Sequence, residues 1–147
     1  MYKCKKFKIQ ELVSNQVFKR YGAEFCWKFF DEDILIDLDT IREFHGESIT
    51  INDWSWGGSL QQCGLRCNLD PMVKGKNTIY CSAHCMGKAF DLHSKNNKKL
   101  YQDIQTLFNQ GKLRVIKRLE SSASTKFQWV HVDSFQTTCK GLEIFTA

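Results

Sequence analysis

The stretch Cys81-Ser82-Ala83-His84-Cys85-Met86-Gly87-Lys88-Ala89-Phe90-Asp91 is followed further along the chain by Trp129-Val130-His131-Val132-Asp133. His84, Asp91 and His131 offer two imidazoles and a carboxylate, a neutral or anionic donor set that suits a zinc ion with one position left open. At that open position a metal can activate a water. A lone histidine in an aromatic run such as Phe127-Gln128-Trp129-Val130-His131 is more often a hydrogen-bonded core residue than a ligand, so the weight rests on both stretches together.

Ser82-x-His84-x-x-Gly87-x-Ala89-x-Asp91 followed by Trp129-x-His131 resembles the D-Ala-D-Ala carboxypeptidase family of zinc peptidases, which shares its fold with Hedgehog signalling domains. The resemblance covers roughly residues 33 to 135. It implies an α+β, Hedgehog/DD-peptidase-like fold, a mainly antiparallel sheet with helices packed on it, and zinc held by His84, Asp91 and His131. Cys63-Gly64-Leu65-Arg66 stands where the family has a Ser-Gly-Tyr-Arg-like segment that brings an arginine to the active site. Arg66 has the chemistry for that role, a fixed-charge fork that binds a carboxylate or a developing oxyanion. A surface arginine is the alternative.

The chain departs from the family at the general base. Many members carry an acid three residues before the second zinc histidine, and here that position is Gln128, which cannot accept and return a proton. Glu120, expected at the end of the preceding strand and across a hairpin from His131, is the favoured substitute. Asp133 comes next, as base or as a carboxylate that orients His131. Ser82 is read as a hydrogen-bonding group near the substrate. Trp54 and Trp56, in Asp53-Trp54-Ser55-Trp56-Gly57-Gly58, are read as aromatic surface for a ligand, with burial in the core as the alternative.

Through the resemblance, the expected activity is zinc-dependent hydrolysis of peptide bonds in bacterial peptidoglycan, of the kind that phage or prophage lysins perform. The alternative is a catalytically inactive zinc-binding module, structural or carried in a virion. Composition narrows the rest. The chain has 147 residues, one proline (Pro71), 42% apolar and 25% charged residues and a formal charge of +5. These values predict a single globular domain over residues 1–147, expected as a monomer. The basic cluster Lys3-Cys4-Lys5-Lys6 comes without a nucleic-acid-binding module, so no nucleic-acid partner is expected and peptidoglycan is the partner implied. Neither a signal peptide nor a membrane span is visible. The expectation is synthesis in a bacterial cytoplasm, with action on the wall after release or from a virion.

Seven cysteines, an odd number without a secretion signal, predict free thiols. Cys63-x3-Cys67 and Cys81-x3-Cys85 leave a four-thiolate structural site as a lesser alternative. Apolar residues at 9, 12, 13 and 17 predict one helix ending at Tyr21-Gly22. Asp39 or Thr40 is read as the cap of a helix running from Ile41 to His45 and stopped by Gly46. His45 is then a helix-end cation rather than a ligand. Strands are expected over 48–52, 79–80, 88–92, 113–119, 127–132 and 142–145, with a helix through Leu100, Ile104, Leu107 and Phe108. His93, two residues beyond Asp91, is read as an exposed strand-end residue or an outer partner of the site.

Overall fold

A computed structural model describes all 147 residues. The core forms where the helical stripe Ile34, Leu35, Leu38 and Ile41 meets the strand residues Phe90, Leu92, Leu119, Val130 and Val132, all at most 1% exposed. Helix α3 (Glu32–His45) carries the first set. Helix α4 (Asn97–Asn109) adds Leu100, Ile104 and Leu107 and begins with the Asn96 side chain accepting from Lys99 N at 3.0 Å.

Five strands form one sheet: β1 (Ile49–Thr50), β2 (Ala89–Ser94), β3 (Arg118–Glu120), β4 (Val130–Asp133) and β5 (Glu143–Phe145). Their order is β1-β2-β4-β3-β5, antiparallel except for the parallel pair β3–β5. Side chains alternate faces along a strand. Phe90, Leu92, Leu119, Val130 and Val132 therefore enter the core together, while Asp91, His93, Arg118, Glu120, His131 and Asp133 share the other face. The register sets Asp91 directly opposite His131.

Several sequence expectations are corrected. The first helix is two, α1 (Ile9–Leu12) and α2 (Asn15–Cys26), because Val13 turns extended to pair with Leu65, and Leu65 N donates to Leu12 O at 2.8 Å. As expected, the helical path breaks at Gly22, whose backbone (φ 74°, ψ 170°) is not helical, and a further turn follows it to Cys26. Helix α3 starts nine residues before Ile41, at an Asp31-Glu32-Asp33 run whose charge suits a helix N-terminus.

Asp39, read as a cap, and Asp37 are mid-helix acids that bind other segments, and Thr40 is mid-helix as well. Asp37 accepts from the backbone N–H groups of Arg114, Val115 and Ile116 at 2.7–2.9 Å. Asp39 accepts from Lys5 N, Lys6 N and the Tyr2 hydroxyl. Because Asp37 takes those donors, 113–117 is not strand and β3 begins at Arg118. Residues 79–80 are loop, with Ile79 95% exposed. The hairpin expected between β3 and β4 is a short helix, α5 (Ser122–Thr125). His45 does end α3 before Gly46, but fully buried, with Nδ1 at 2.7 Å from Asp103 and Nε2 at 2.7 Å from Ser94 Oγ. Lys99 Nζ lies across the same Asp103 at 2.8 Å, so the group staples α3 to β2 and α4.

Candidate metal centre

Asp91 and His131 reach the site from paired central strands, and His84 comes from a 3-10 turn over Ala83–Met86. Ser82 caps that turn by accepting from Cys85 N at 3.4 Å. Gly87 closes the turn at φ 67°, and a Cβ there would stand 2.8 Å from the Phe29 carbonyl. The small residue in the motif is thus needed for backbone packing against Phe29, not for approach to a metal. Gly64 packs so tightly on Leu12 that a Cβ would overlap its carbonyl. Its own carbonyl stands 3.0 Å from His84 Nδ1.

The outer contacts fix both imidazoles. Gly64 O can only accept, so His84 Nδ1 carries the proton and Nε2 keeps a lone pair. Asp133 Oδ2 accepts from His131 Nε2 at 3.2 Å, which directs the Nδ1 of His131 inward. His84 Nε2 then lies 3.3 Å from His131 Nδ1 and 3.4 Å from Asp91 Oδ2, with Asp91 Oδ1 2.8 Å from His131 Nδ1. Donors held about 2.0–2.1 Å from a tetrahedral ion stand about 3.3 Å apart, so two edges of this triangle already have that length. His84, Asp91 and His131 are the one set of three or more such side chains in the chain that could hold a metal ion.

Burial would raise the Asp91 pKa, but hydrogen bonds from His131 and His84 hold it well below the usual carboxylate range. Burial would lower that of His131, yet Asp133 and Asp91 lift it to about 9. A cation entering the site competes with that proton. The Asp133 carboxyl is kept below its ordinary value, the pull of burial being outweighed by His131 and by Arg118, whose NH1 lies 3.3 Å away.

Continuing the β3–β4 register sets Glu120 opposite His131. Burial raises its pKa, with the charge of His131 pulling the other way. Arg66 is buried beside the site rather than on the surface. Its NH2 donates to Asp91 Oδ2 at 3.1 Å and its Nε donates to Gln62 O. Gln128 is exposed and contributes its backbone carbonyl, which accepts from Asn97 Nδ2 at 3.0 Å.

A cavity of about 270 Å³ opens at Asp91 and Arg66, lined also by Gln62, Met72, His93 and Trp129. The tryptophan in it is Trp129, which in the sequence serves only as a motif marker. Trp54 and Trp56 do not line it: the Trp54 indole donates to Val13 O at 3.0 Å and packs on Phe18, and Trp56 is exposed elsewhere. His93 is half-buried, its Nε2 3.5 Å from Cys63 Sγ. All seven cysteines are unpaired, and Cys63, Cys67, Cys81 and Cys85 form no ligand cluster. No helix is long and apolar enough to cross a membrane. No family model matches the chain, and no curated protein or solved structure does either.

Proposed function

We propose that the chain is a zinc peptidase of the D-Ala-D-Ala carboxypeptidase/Hedgehog type that hydrolyses peptide bonds in bacterial peptidoglycan. The carrying observation is the convergence of His84 Nε2, His131 Nδ1 and the Asp91 carboxylate, with each imidazole's other nitrogen engaged by an outer acceptor. A donor set of two imidazole nitrogens and one carboxylate, with His84 Nε2 3.3 Å from His131 Nδ1 and 3.4 Å from Asp91 Oδ2, favours zinc among the common divalent ions. Bound there, zinc supplies a Lewis acid that polarises the scissile carbonyl and acidifies water.

The chain's own groups do the rest. Glu120, with its pKa raised by burial, takes a proton from the attacking water and returns it to the leaving amine. Arg66 keeps a fixed positive charge at the cavity and stabilises the negative charge that develops on the carbonyl oxygen. Trp129 and Met72 wall the cavity, and Asp133 keeps Nδ1 of His131 turned to the ligand side. The substrate class and the phage-lysin setting rest on the motif resemblance.

The test is incubation of the zinc-loaded protein with peptidoglycan sacculi from several wall chemistries, with fragments identified by mass spectrometry and His131→Ala as control. Fragments released only by the intact protein support the reading, and their masses name the bond cut. One zinc per chain without any fragment would instead favour a metal-binding structural or virion module, the outcome consistent with glutamine at 128.

A further inference from the structure

The face of the sheet that carries His131 continues through β3 to β5. In the parallel β3–β5 pairing Arg118 stands beside Glu143 and Glu120 beside Phe145, so Glu143 and Phe145 point to the same face as the metal ligands. Phe145 meets the His131 ring edge-on, with centroids 5.6 Å apart and planes at 82°. Arg118 lies with its guanidinium 4.2 Å from the Phe145 ring centroid, its Nε 3.2 Å from Glu143 Oε2 and its NH1 3.3 Å from Asp133 Oδ2.

Asp133 is 1% exposed, and a carboxylate so buried needs a counter-charge to stay ionised. Arg118 supplies it from one side, Phe135 N donates to Oδ1 at 3.0 Å, and the carboxylate in turn accepts the His131 Nε2 proton. The imidazole is therefore held at two places, by a charged hydrogen bond at Nε2 and by an aromatic contact on its ring. Both holds pass through β5, since Glu143 and Phe145 between them fix the guanidinium. None of these residues touches the space where a substrate would lie beside Asp91.

We propose that Arg118 and Phe145 are positioning residues for His131, and that β5 sets the metal affinity of the site by holding that ring with Nδ1 turned towards His84 and Asp91. The proposal rests on the metal-binding part of the reading above and not on the substrate. Partners of this kind are commonly worth roughly 10–100-fold in metal affinity. The loss is a looser ligand rather than an unfolded chain, because Arg118 and Phe145 lie on the sheet face away from the core cluster.

The experiment measures zinc affinity by competition with a chromophoric chelator for the full chain and for Arg118→Ala, Arg118→Lys, Phe145→Ala, Phe145→Tyr and His84→Ala. Thermal unfolding in excess chelator reports fold integrity separately, and the ring-nitrogen NMR pattern of His131 in the zinc-loaded proteins reports its tautomer. Expected are a roughly 10–100-fold loss in Arg118→Ala and Phe145→Ala, recovery in Phe145→Tyr, partial recovery in Arg118→Lys, and a mixed tautomer in Arg118→Ala. Affinities within about twofold of the parent for both alanine variants, with His84→Ala failing to bind, overturn the positioning role alone. A parent chain that takes up no zinc overturns the metal reading as well. If zinc affinity falls only in step with unfolding in chelator, the two residues are structural and the proposal fails.

Discussion

Glu120 owes its place to strand register and its chemistry to burial. It lies opposite His131 with a raised pKa, and the proposed peptidase reading gives it the general-base role. Glu120→Gln keeps the shape and removes the proton acceptor. Turnover on sacculi is expected to fall by roughly 10²–10⁴-fold while zinc content, read by atomic absorption, stays at the parent level. Undiminished turnover would move the role to another group. The meeting of His84, Asp91 and His131 is legible in the sequence because the two motifs name them together, and the place of Glu120 across from His131 because it ends the preceding strand. Trp129 in the cavity and the indole of Trp54 on Val13 are not legible there, since which tryptophan faces a ligand is decided by the partner across the fold.

At the scale of elements, the acids of α3 organise the chain around them. Asp37, fully buried, satisfies three consecutive backbone N–H groups of the segment entering β3. Asp37→Ala orphans those donors, and the expected cost is about 3 kcal/mol or more in urea unfolding, against a surface control on the same helix, Glu43→Ala, near zero. The same helix holds the N-terminal residues through Asp39. The Tyr2 phenol is raised from 10.0 to about 12, first by its hydrogen bond to Asp39 and then by burial. A raised pKa means the folded state favours the neutral phenol. Its contribution is therefore complete below pH 10 and is lost as the pH climbs through 12. An alkaline absorbance titration should show one tyrosine ionising near pH 12, and Tyr2→Phe should remove it.

These elements also mark the limit of reading by pattern. The spacing Ile34, Leu35, Leu38, Ile41 is helical and, with the acids at 31–33, signals that α3 starts early, but Asp39 within it looks like a cap. An acid that caps its own helix and one that caps a distant loop have the same local sequence. Likewise Val13 leaves the helix for a bridge to Leu65, a choice made by a residue far along the chain.

For the whole molecule, the alternation of strands 89–93, 118–120 and 130–133 already separates an apolar face from a polar one. The mainly antiparallel character of the sheet agrees with what the motif resemblance implies, whereas nothing in the sequence signals the parallel placement of β5. A metal ion at His84, Asp91 and His131 would tie together a 3-10 turn and two central strands, so binding should raise the unfolding temperature of the entire chain. At zinc a hundredfold above its dissociation constant the gain is about 2.7 kcal/mol, or about 5–10 °C for a chain of this length. Calorimetry with zinc and with chelator measures it. The same shift persisting in His84→Ala would place the ion elsewhere.

The position of β5 also sets an order in time. Phe145 and Glu143 are synthesised after every ligand of the site, and at usual rates of translation the ribosome covers the fourteen positions from His131 to Phe145 in roughly one to three seconds. During that interval a nascent chain carries His84, Asp91 and His131 but not β5, whose Phe145 meets the His131 ring. The sheet of a chain halted before β5 would have to hold His131 without the Phe145 ring against it and without the Glu143 partner of Arg118.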